Sequence, residues 1–258
     1  MELLNTILFA DEGGPVAIAR PEGHSPVLLI CEHSSRVIPR RLGDLGLAEE
    51  LRSSHIAWDV GALDLSLFLS RQLDACLIHQ RFSRLAYDCN RPPESDSATP
   101  KRSEVYDIPG NISATAEEKQ ARVDGIYRPF QAAVAQEIAR RKAAGQPTVL
   151  VTIHSFTPVF KGVRRDVEIG ILHDSDTRFA DSILSSLDNC GFVVRRNDPY
   201  GPEDGVTHTL VEHGLSNGLQ NVMVEVRNDL LAGETSRKHV EQDLLRAIAE
   251  SLSLEEIA

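Results

Sequence analysis

Short apolar runs alternate along the chain with longer amphipathic stretches. Runs rich in Val, Ile and Leu that end abruptly in polar residues are typical of strands covered on both faces. Such runs predict strands at Val27 to Cys31, Ala75 to His79, Thr148 to His154, Val167 to Leu172, Phe192 to Arg195 and Val222 to Val226. Apolar residues at helical spacing predict helices at Gly61 to Leu73, Ala114 to Lys142, Ser175 to Cys190 and Ser236 to Leu252.

This alternation predicts an α/β fold with a mainly parallel or mixed central sheet and helices on both faces. The 258 residues are enough for one such domain with a buried core. We therefore expect a single domain over residues 1–258, with a core at 27–229 and a carboxyl-terminal helix at 236–252. Asn90 to Asn111 contains five Pro or Gly residues and predicts a long loop, a frequent location for function.

The charge and the cysteines exclude several classes of protein. The formal net charge of -11 argues against a nucleic-acid partner, since phosphate binding requires clustered Lys and Arg. No apolar run approaches the roughly 20 residues of a membrane span, and the amino terminus lacks the features of a signal peptide. A cytoplasmic location is the expectation. The four cysteines are scattered, which suits neither a disulfide framework nor a structural zinc site.

Two histidines follow predicted strands, at the sheet edge where open α/β sheets form their sites. His33 comes just after the first strand and His154 ends the third. A single histidine there is more often structural, but a catalytic zinc takes two histidines and a carboxylate and leaves a position for water. Asp59 is the preferred third ligand, although it could also be a helix cap. Glu32 stays an alternative, but in an extended segment its side chain points away from that of His33.

Polar residues on other strands and loops complete the candidate site. Glu225 lies in an apolar strand, where burial raises a carboxyl pKa and favours a general base; an ion pair with Arg227 is the alternative. Asn90 and Arg91 offer donors that match a carboxylate, although a surface turn explains the dipeptide equally well. Tyr200 lies in a Gly-containing segment that could close over a substrate, or it is an ordinary surface-loop residue.

The order of these motifs resembles the zinc carboxypeptidase and aspartoacylase clan and, within it, the N-formylglutamate amidohydrolases. The resemblance covers about Val27 to Asp229 and consists of Cys31-Glu32-His33-Ser34-Ser35, Ile38-Pro39, Trp58-Asp59-Val60-Gly61-Ala62, Ser83-Arg84-Leu85-Ala86-Tyr87-Asp88-Cys89-Asn90-Arg91, Ile153-His154-Ser155, Asn197-Asp198-Pro199-Tyr200 and Val224-Glu225-Val226-Arg227. One departure is clear. Carboxypeptidases have a ligand Glu three residues after the first histidine, where this chain has Arg36.

The resemblance implies a zinc-exopeptidase-like fold and a zinc ion held by His33 and His154, with Asp59 in place of the missing glutamate. It also implies that Glu225 is the general base and that Arg91, with Asn90, binds a substrate carboxylate. Further expectations concern a catalytic role for Arg227 and substrate contacts by Arg84, Ser155, Tyr200 and His208.

The predicted reaction is hydrolysis of a small N-acyl acidic amino acid, with N-formyl-L-glutamate as the leading substrate. Another N-acyl-amino-acid deacylase, a peptide amidase and a non-catalytic binding protein that has lost the metal are the alternatives. Nucleophilic catalysis is disfavoured because Cys31 immediately precedes Glu32 and does not open a helix. The sequence leaves the oligomeric state, the acyl group and the native metal open.

Overall fold

Seven strands form one mixed sheet in the computed structural model, which describes residues 6–255. The strands are β1 Val16–Ala19, β2 Val27–Cys31, β3 Cys76–Gln80, β4 Val149–Phe156, β5 Ile169–Leu172, β6 Val194–Arg196 and β7 Gln220–Arg227. Their order in the sheet is β1-β3-β2-β4-β7-β5-β6. Four neighbouring strands, β3, β2, β4 and β7, run parallel, whereas β1 and β5 pair antiparallel with β3 and β7, respectively.

Helices cover both faces of this sheet. They are α1 Glu49–Arg52, α2 Ala62–Leu73, α3 Pro109–Ile112, α4 Ala116–Arg122, α5 Arg128–Ala143, α6 Arg178–Ser186, α7 Asn228–Ala232 and α8 Glu234–Glu255. Helices α2, α6 and α8 pack on one face and α5 on the other. The predicted α/β architecture, with a mixed sheet between two helical layers, is thus confirmed.

Alternation along the inner strands divides the core between the two faces. In β4, Val149, Val151 and Ile153 contribute to the cluster with α2, α6 and α8. Leu150 belongs to the cluster that contains α5. Residues of both sets are almost fully buried, which is why these strands appear in the sequence as continuous apolar runs.

Element ends differ from the prediction by a few residues, and three regions differ more. Strand β1 was not predicted, because this partly exposed edge strand has a short and weak pattern. The helix predicted from Ala114 to Lys142 is divided by a π-helical turn at Val123–Tyr127, and α5 has a proline in its first turn. The segment Asn90 to Asn111 is not a structureless loop: it contains a 3-10 turn, a small hairpin and α3.

Two expectations concern chain ends that the structure does not describe. Residues 1–5, on which the absence of a signal peptide was argued, and residues 256–258 of the expected domain are outside the described residues. The limits of 1–258 stay a prediction. Within residues 6–255, no helix is long and apolar enough to span a membrane.

Candidate metal centre and active site

The carboxyl ends of β2, β4 and β7 lie side by side, because these three strands are parallel neighbours. His154 and Glu225 are direct partners in the pairing of β4 with β7. Alternation places both side chains on the face that α5 covers, together with Leu150 and Met223 of the same strands. His33 follows β2 directly and completes the row at this edge of the sheet.

Asp59 reaches the same edge from the segment that precedes α2. Its backbone N–H donates to the carbonyl oxygen of His33 at 2.9 Å. The cap residue of α2 is Gly61, which has no side chain with which to cap the helix. The carboxylate of Asp59 is therefore not a helix cap; it is buried and turned towards the histidines.

One oxygen of Asp59 contacts both imidazoles. Oδ2 lies 3.2 Å from Nδ1 of His33 and 2.8 Å from Nδ1 of His154, and the backbone N–H of Ser155 donates to the same oxygen at 3.3 Å. The two rings stand edge to face with centroids 4.9 Å apart. Ligand atoms of the three side chains all lie within 4.8 Å of one another.

A second carboxylate lies at the far nitrogen of each imidazole. Oδ1 of Asp88 is 2.7 Å from Nε2 of His33, and Oε2 of Glu32 is 3.1 Å from Nε2 of His154. Both residues belong to the sequence motifs, but neither was predicted to lie at these positions. Glu32, considered from the sequence as an alternative ligand, contacts the far nitrogen of His154.

Arg84 links the two aspartates. Its Nη1 donates to Oδ1 of Asp59 at 3.2 Å and its Nη2 to Oδ2 of Asp88 at 3.3 Å. Burial raises the carboxyl pKa of both aspartates, but the pull of His33, together with the arginine and the hydrogen bonds, holds both pKa values below their usual range. Both terminal nitrogens of Arg84 therefore bind these aspartates and hold their carboxylates in place.

The carboxylates of Glu32, Asp59, Asp88 and Glu225 surround the two imidazoles, and Arg84 pairs with both aspartates. Burial lowers the pKa of His154, but Glu32 and Asp59 outweigh it and hold that pKa well above the usual value. Two imidazoles and a carboxylate are the donors that zinc prefers, and tetrahedral ligands at 2.0–2.2 Å stand about 3.4 Å apart. The separations around Asp59 are close to that spacing, so the donor set fits one divalent ion.

Glu225 is a buried carboxylate with one unpartnered oxygen in the described part of the chain. It is buried in β7, and its Oε2 has no hydrogen-bond partner among the described residues. Burial raises the pKa of this carboxyl to about 7, with the charge of Asp59 adding to the shift against the opposing effect of His154. A carboxyl group with this pKa exchanges protons readily near neutral pH.

The two imidazoles, the two aspartates, Arg84 and Glu225 line a cavity of about 270 Å³. Its wall includes Arg91, whose Nη1 donates to the carbonyl oxygen of Asn90 at 2.8 Å. Two hairpins contribute to the lining and are called the roof. One pairs Arg102–Ser103 with Tyr106–Asp107, and the other pairs Val159–Phe160 with Val163–Arg164. Glu104 joins them, because its carboxylate accepts from the backbone N–H of Lys161 at 2.7 Å and contacts His55 at 2.9 Å.

The structure brings most of the sequence-predicted residues to this cavity. His33, Asp59, Arg84, Asn90, Arg91, His154, Ser155, Tyr200 and Glu225 all line it. The amide of Asn90 is committed to the backbone, since it donates to Val206 O at 2.5 Å and accepts from Thr209 N at 2.9 Å. The hydroxyl of Ser155 donates to Val60 O at 2.9 Å. Arg165 lies 4.7 Å from the ring centre of Tyr200.

Arg227 and His208 do not line the cavity. The guanidinium of Arg227 donates to Asp229 at 2.8 Å and to Glu168 at 3.1 Å, because β7 ends at this residue and the chain turns into α7. It therefore forms neither an ion pair with Glu225 nor a contact in the cavity. Nε2 of His208 lies 2.9 Å from the hydroxyl of Tyr127.

Asp88 was missed and Glu32 was considered only as an alternative ligand, although the sequence held a signal for the position of Glu32. Leu28 and Ile30 face α5, so the alternation of β2 carries Glu32 to the same face as His154 and Glu225. This periodicity is visible in the sequence and could have placed Glu32. Asp88 follows β3 in an irregular segment, where no periodicity predicts the direction of a side chain.

Comparison with known proteins is consistent with this geometry. The model of the N-formylglutamate amidohydrolase family matches residues 25–232. No curated protein matches the chain. The crystal structure of the gene product Atu2144 from Agrobacterium tumefaciens is similar, with 51% identity, a TM-score of 0.94 and coverage of 97% of this chain and 99% of that chain.

An N-formylglutamate amidohydrolase from Ralstonia eutropha JMP134 has a similar fold. It is 20% identical, with a TM-score of 0.65 and coverage of 95% of this chain and 100% of that one. At this identity the likeness concerns the fold alone. The family match spans most of the chain and includes every residue of the metal cluster. The chain belongs to the N-formylglutamate amidohydrolase family.

Proposed function

We propose that the chain hydrolyses the amide bond of a small N-acyl acidic amino acid, with N-formyl-L-glutamate as the substrate and formate and glutamate as the products. The proposal includes one divalent metal ion, with zinc as the leading candidate. Membership of the family supports the amidohydrolase activity. The buried group of His33, Asp59 and His154 supports the metal.

The proposed metal ligands are Nδ1 of His33, Oδ2 of Asp59 and Nδ1 of His154, which already converge. When bound, a divalent ion polarises the acyl carbonyl and lowers the pKa of a water molecule towards 7. His154 lies on β4, His33 lies in the turn after β2, and the backbone N–H of Asp59 donates to the carbonyl oxygen of His33. This arrangement holds the donors in place before an ion arrives, which reduces the ordering that binding requires.

Glu225 is the proposed general base. Its unpartnered Oε2 accepts a proton from the attacking water as the water oxygen bonds to the acyl carbon. The same carboxyl then delivers that proton to the nitrogen of the leaving amino acid as the C–N bond breaks. A carboxyl pKa of about 7 suits both transfers, because neither protonation state is strongly favoured at neutral pH.

Arg91 is the proposed site for a substrate carboxylate. Only its Nη1 has a hydrogen bond to the protein among the described residues, to Asn90 O. Its remaining N–H groups can pair with a carboxylate, for which the planar guanidinium is well suited. Ser97, Arg102 and Ser103 line the cavity nearby and offer donors for a second carboxylate. Two acidic groups on the substrate would then both be recognised.

The size of the cavity favours a single amino acid over a peptide. Its volume is about 270 Å³, at the lower end of small-molecule pockets. The two hairpins, joined through Glu104, close it from above. A peptide amidase would need room for further residues on the amino-acid side, where this roof lies.

The single observation that carries the proposal is the position of Glu225 beside the His33–Asp59–His154 group in one cavity. The test is metal analysis of the purified protein, followed by turnover of N-formylglutamate before and after removal of the metal by a chelator. We expect one zinc per chain, loss of turnover after chelation and recovery on adding Zn²⁺. Full turnover by protein shown to contain no metal would overturn the metal-dependent mechanism.

A further inference from the structure

Glu32 is a buried charge that the proposed reaction does not use. It follows β2 and is completely buried, between the core residue Cys31 and the proposed ligand His33. Its Oε2 lies 3.1 Å from Nε2 of His154. The other nitrogen of that ring, Nδ1, faces Asp59 at 2.8 Å. Glu32 therefore stands behind His154, on the side away from the metal position.

Glu32 and Nε2 of His154 have few other partners. Within residues 6–255, neither oxygen of Glu32 nor this nitrogen has a well-directed hydrogen bond, and the 3.1 Å contact between Oε2 and Nε2 is an ion pair. Burying a carboxylate without compensation costs several kcal/mol, so the facing imidazole is its main compensation. Thr209 is the other polar neighbour, and its side chain adds to the effect of His154 in lowering the pKa of Glu32 against the opposing effect of burial.

We propose that Glu32 is a positioning residue that keeps the proton of His154 on Nε2 and so leaves the lone pair of Nδ1 directed at the metal position. A neutral imidazole has one N–H donor and one acceptor nitrogen, and the partner of one nitrogen fixes the role of the other. Carboxylates behind a ligand histidine also fix the ring orientation. This inference rests on the metal-dependent function proposed above.

The backbone near Thr209 connects Glu32 to the segment that carries Arg91. The N–H of Thr209 donates to Oδ1 of Asn90, and the amide of Asn90 donates to Val206 O. The side chain of Asn90 therefore holds the segment of residues 206–209 in place. Its amide oxygen and nitrogen are both occupied by these backbone contacts.

The experiment compares Glu32→Met, which removes the acceptor, with Glu32→Gln, which keeps an acceptor oxygen without the charge. Zn²⁺ affinity is measured by competition with a chelator, and the protonated nitrogen of His154 is identified by ¹⁵N NMR on the metal-free protein at a pH high enough for the imidazole to be neutral. We expect Glu32→Met to weaken Zn²⁺ binding by about 10- to 100-fold, the range for such outer carboxylates. The Nε2–H form of His154 should no longer dominate. Glu32→Gln should recover part of both losses.

Controls separate positioning from general damage to the fold. Glu137→Gln removes a glutamate charge that pairs with Arg140 and Arg141, and it should leave Zn²⁺ affinity unchanged. Thr209→Val should weaken Zn²⁺ binding less than Glu32→Met does. Thr207 lies in the same segment, and its hydroxyl donates to Asp174 at 2.8 Å. Thr207→Val should leave Zn²⁺ affinity unchanged.

The outcomes for Glu32 and for the proposed function are distinguishable. Unchanged Zn²⁺ affinity and an unchanged His154 tautomer in Glu32→Met would overturn the positioning role, even with an active wild type. If Glu32→Met does not fold, the same measurements on Glu32→Gln and Thr209→Val decide the question. A wild type that binds no Zn²⁺ would overturn the proposed function, whereas the tautomer in the metal-free protein still tests Glu32.

Discussion

At the scale of single residues, the four carboxylates near the histidines differ in what surrounds them. Asp59 and Asp88 share the guanidinium of Arg84 and both contact His33, and Glu32 faces His154. Only Glu225 has an oxygen that is both in the cavity wall and without a partner among the described residues. The environment thus assigns different roles to groups of the same chemistry.

The first prediction concerns Glu225→Gln, which keeps the shape of the side chain and removes its basicity. We expect kcat for N-formylglutamate to fall by about 10²- to 10⁴-fold, with bound zinc and KM little changed. Steady-state kinetics and metal analysis measure this. The exposed variant Lys238→Gln, on α8, should behave as wild type. Loss of zinc would make Glu225 a ligand, and a near-normal kcat would require another base.

The pH dependence of kcat follows from the same carboxyl group. Burial raises the pKa of Glu225 to about 7, and a base acts only when ionised, so kcat should rise with pH through that pKa. A bound cation favours the ionised form and moves the rise to lower pH. We expect this acidic limb to lie at or below about pH 7 and to disappear in Glu225→Gln. An identical limb in that variant would assign it to another group.

The third prediction concerns Arg91→Lys. A guanidinium binds a carboxylate with two parallel hydrogen bonds, which an ammonium group does not reproduce. We expect kcat/KM for N-formylglutamate to fall by roughly 10- to 100-fold, equivalent to about 1.4–2.7 kcal/mol, the range of a charge-assisted hydrogen bond. A neutral N-formyl analogue should lose much less. Equal losses for both substrates would contradict a role in carboxylate recognition.

Much of the site at this scale was predictable, since residues at the carboxyl ends of parallel strands converge. His33, His154 and Glu225 follow from strand assignment alone. The role of Asp59 required the resemblance, because a carboxylate at the start of a helix is equally typical of a cap. The direction of Arg227 was not predictable: its contacts with Glu168 and Asp229 depend on where β7 ends.

At the scale of elements, a glycine in the turn from Asp59 into α2 positions this proposed ligand. Gly61 has a φ of 83°, a conformation that side chains with a Cβ rarely adopt. A Cβ at this position would lie 2.7 Å from Cβ of Leu231 on α7. The geometry of Asp59 thus depends on close packing between two helices that follow different strands.

The fourth prediction is that Gly61→Ala destabilises the protein and weakens its metal site. Gly145→Ala is the matched control, because Gly145 has a φ of 65° but no atom within 4 Å of the position that an added Cβ would take. The control should lose about 1 kcal/mol of unfolding free energy from the backbone alone. Gly61→Ala should lose about 1–3 kcal/mol more from overpacking, and also Zn²⁺ affinity. Urea unfolding measures the free energy of unfolding, and zinc titration measures the Zn²⁺ affinity. Equal losses of unfolding free energy in the two variants would contradict the packing argument.

The elements that the sequence predicted best are those that are covered on both faces. Val27–Cys31 was predicted to the residue, since all five positions are buried. The two hairpins of the roof were not predicted, because each strand has only two residues and most of them are exposed. Their pairing depends on contacts across the chain, such as that of Glu104 with Lys161, which no local pattern reveals.

At the scale of the whole molecule, the three proposed ligands come from segments that are distant in sequence. His33 and His154 are separated by 121 positions and belong to neighbouring strands, and Asp59 comes from the connection between β2 and α2. An ion bound to all three is held only by the folded chain. Binding of such an ion therefore stabilises the fold through mass action, quite apart from catalysis.

The last prediction is that Zn²⁺ raises the thermal stability of the protein, and that the gain depends on Asp59. At a free Zn²⁺ concentration 100 times the Kd, the native state gains about 2.7 kcal/mol, which corresponds to a rise of several degrees in Tm. Asp59→Asn keeps the side-chain volume but weakens the ligand, so the Tm of this variant should respond far less to Zn²⁺. Asp64→Asn, on α2 and away from the cavity, should respond as wild type does. Calorimetry with and without a chelator measures the shift, and an equal rise in Asp59→Asn would show that Asp59 is not a ligand.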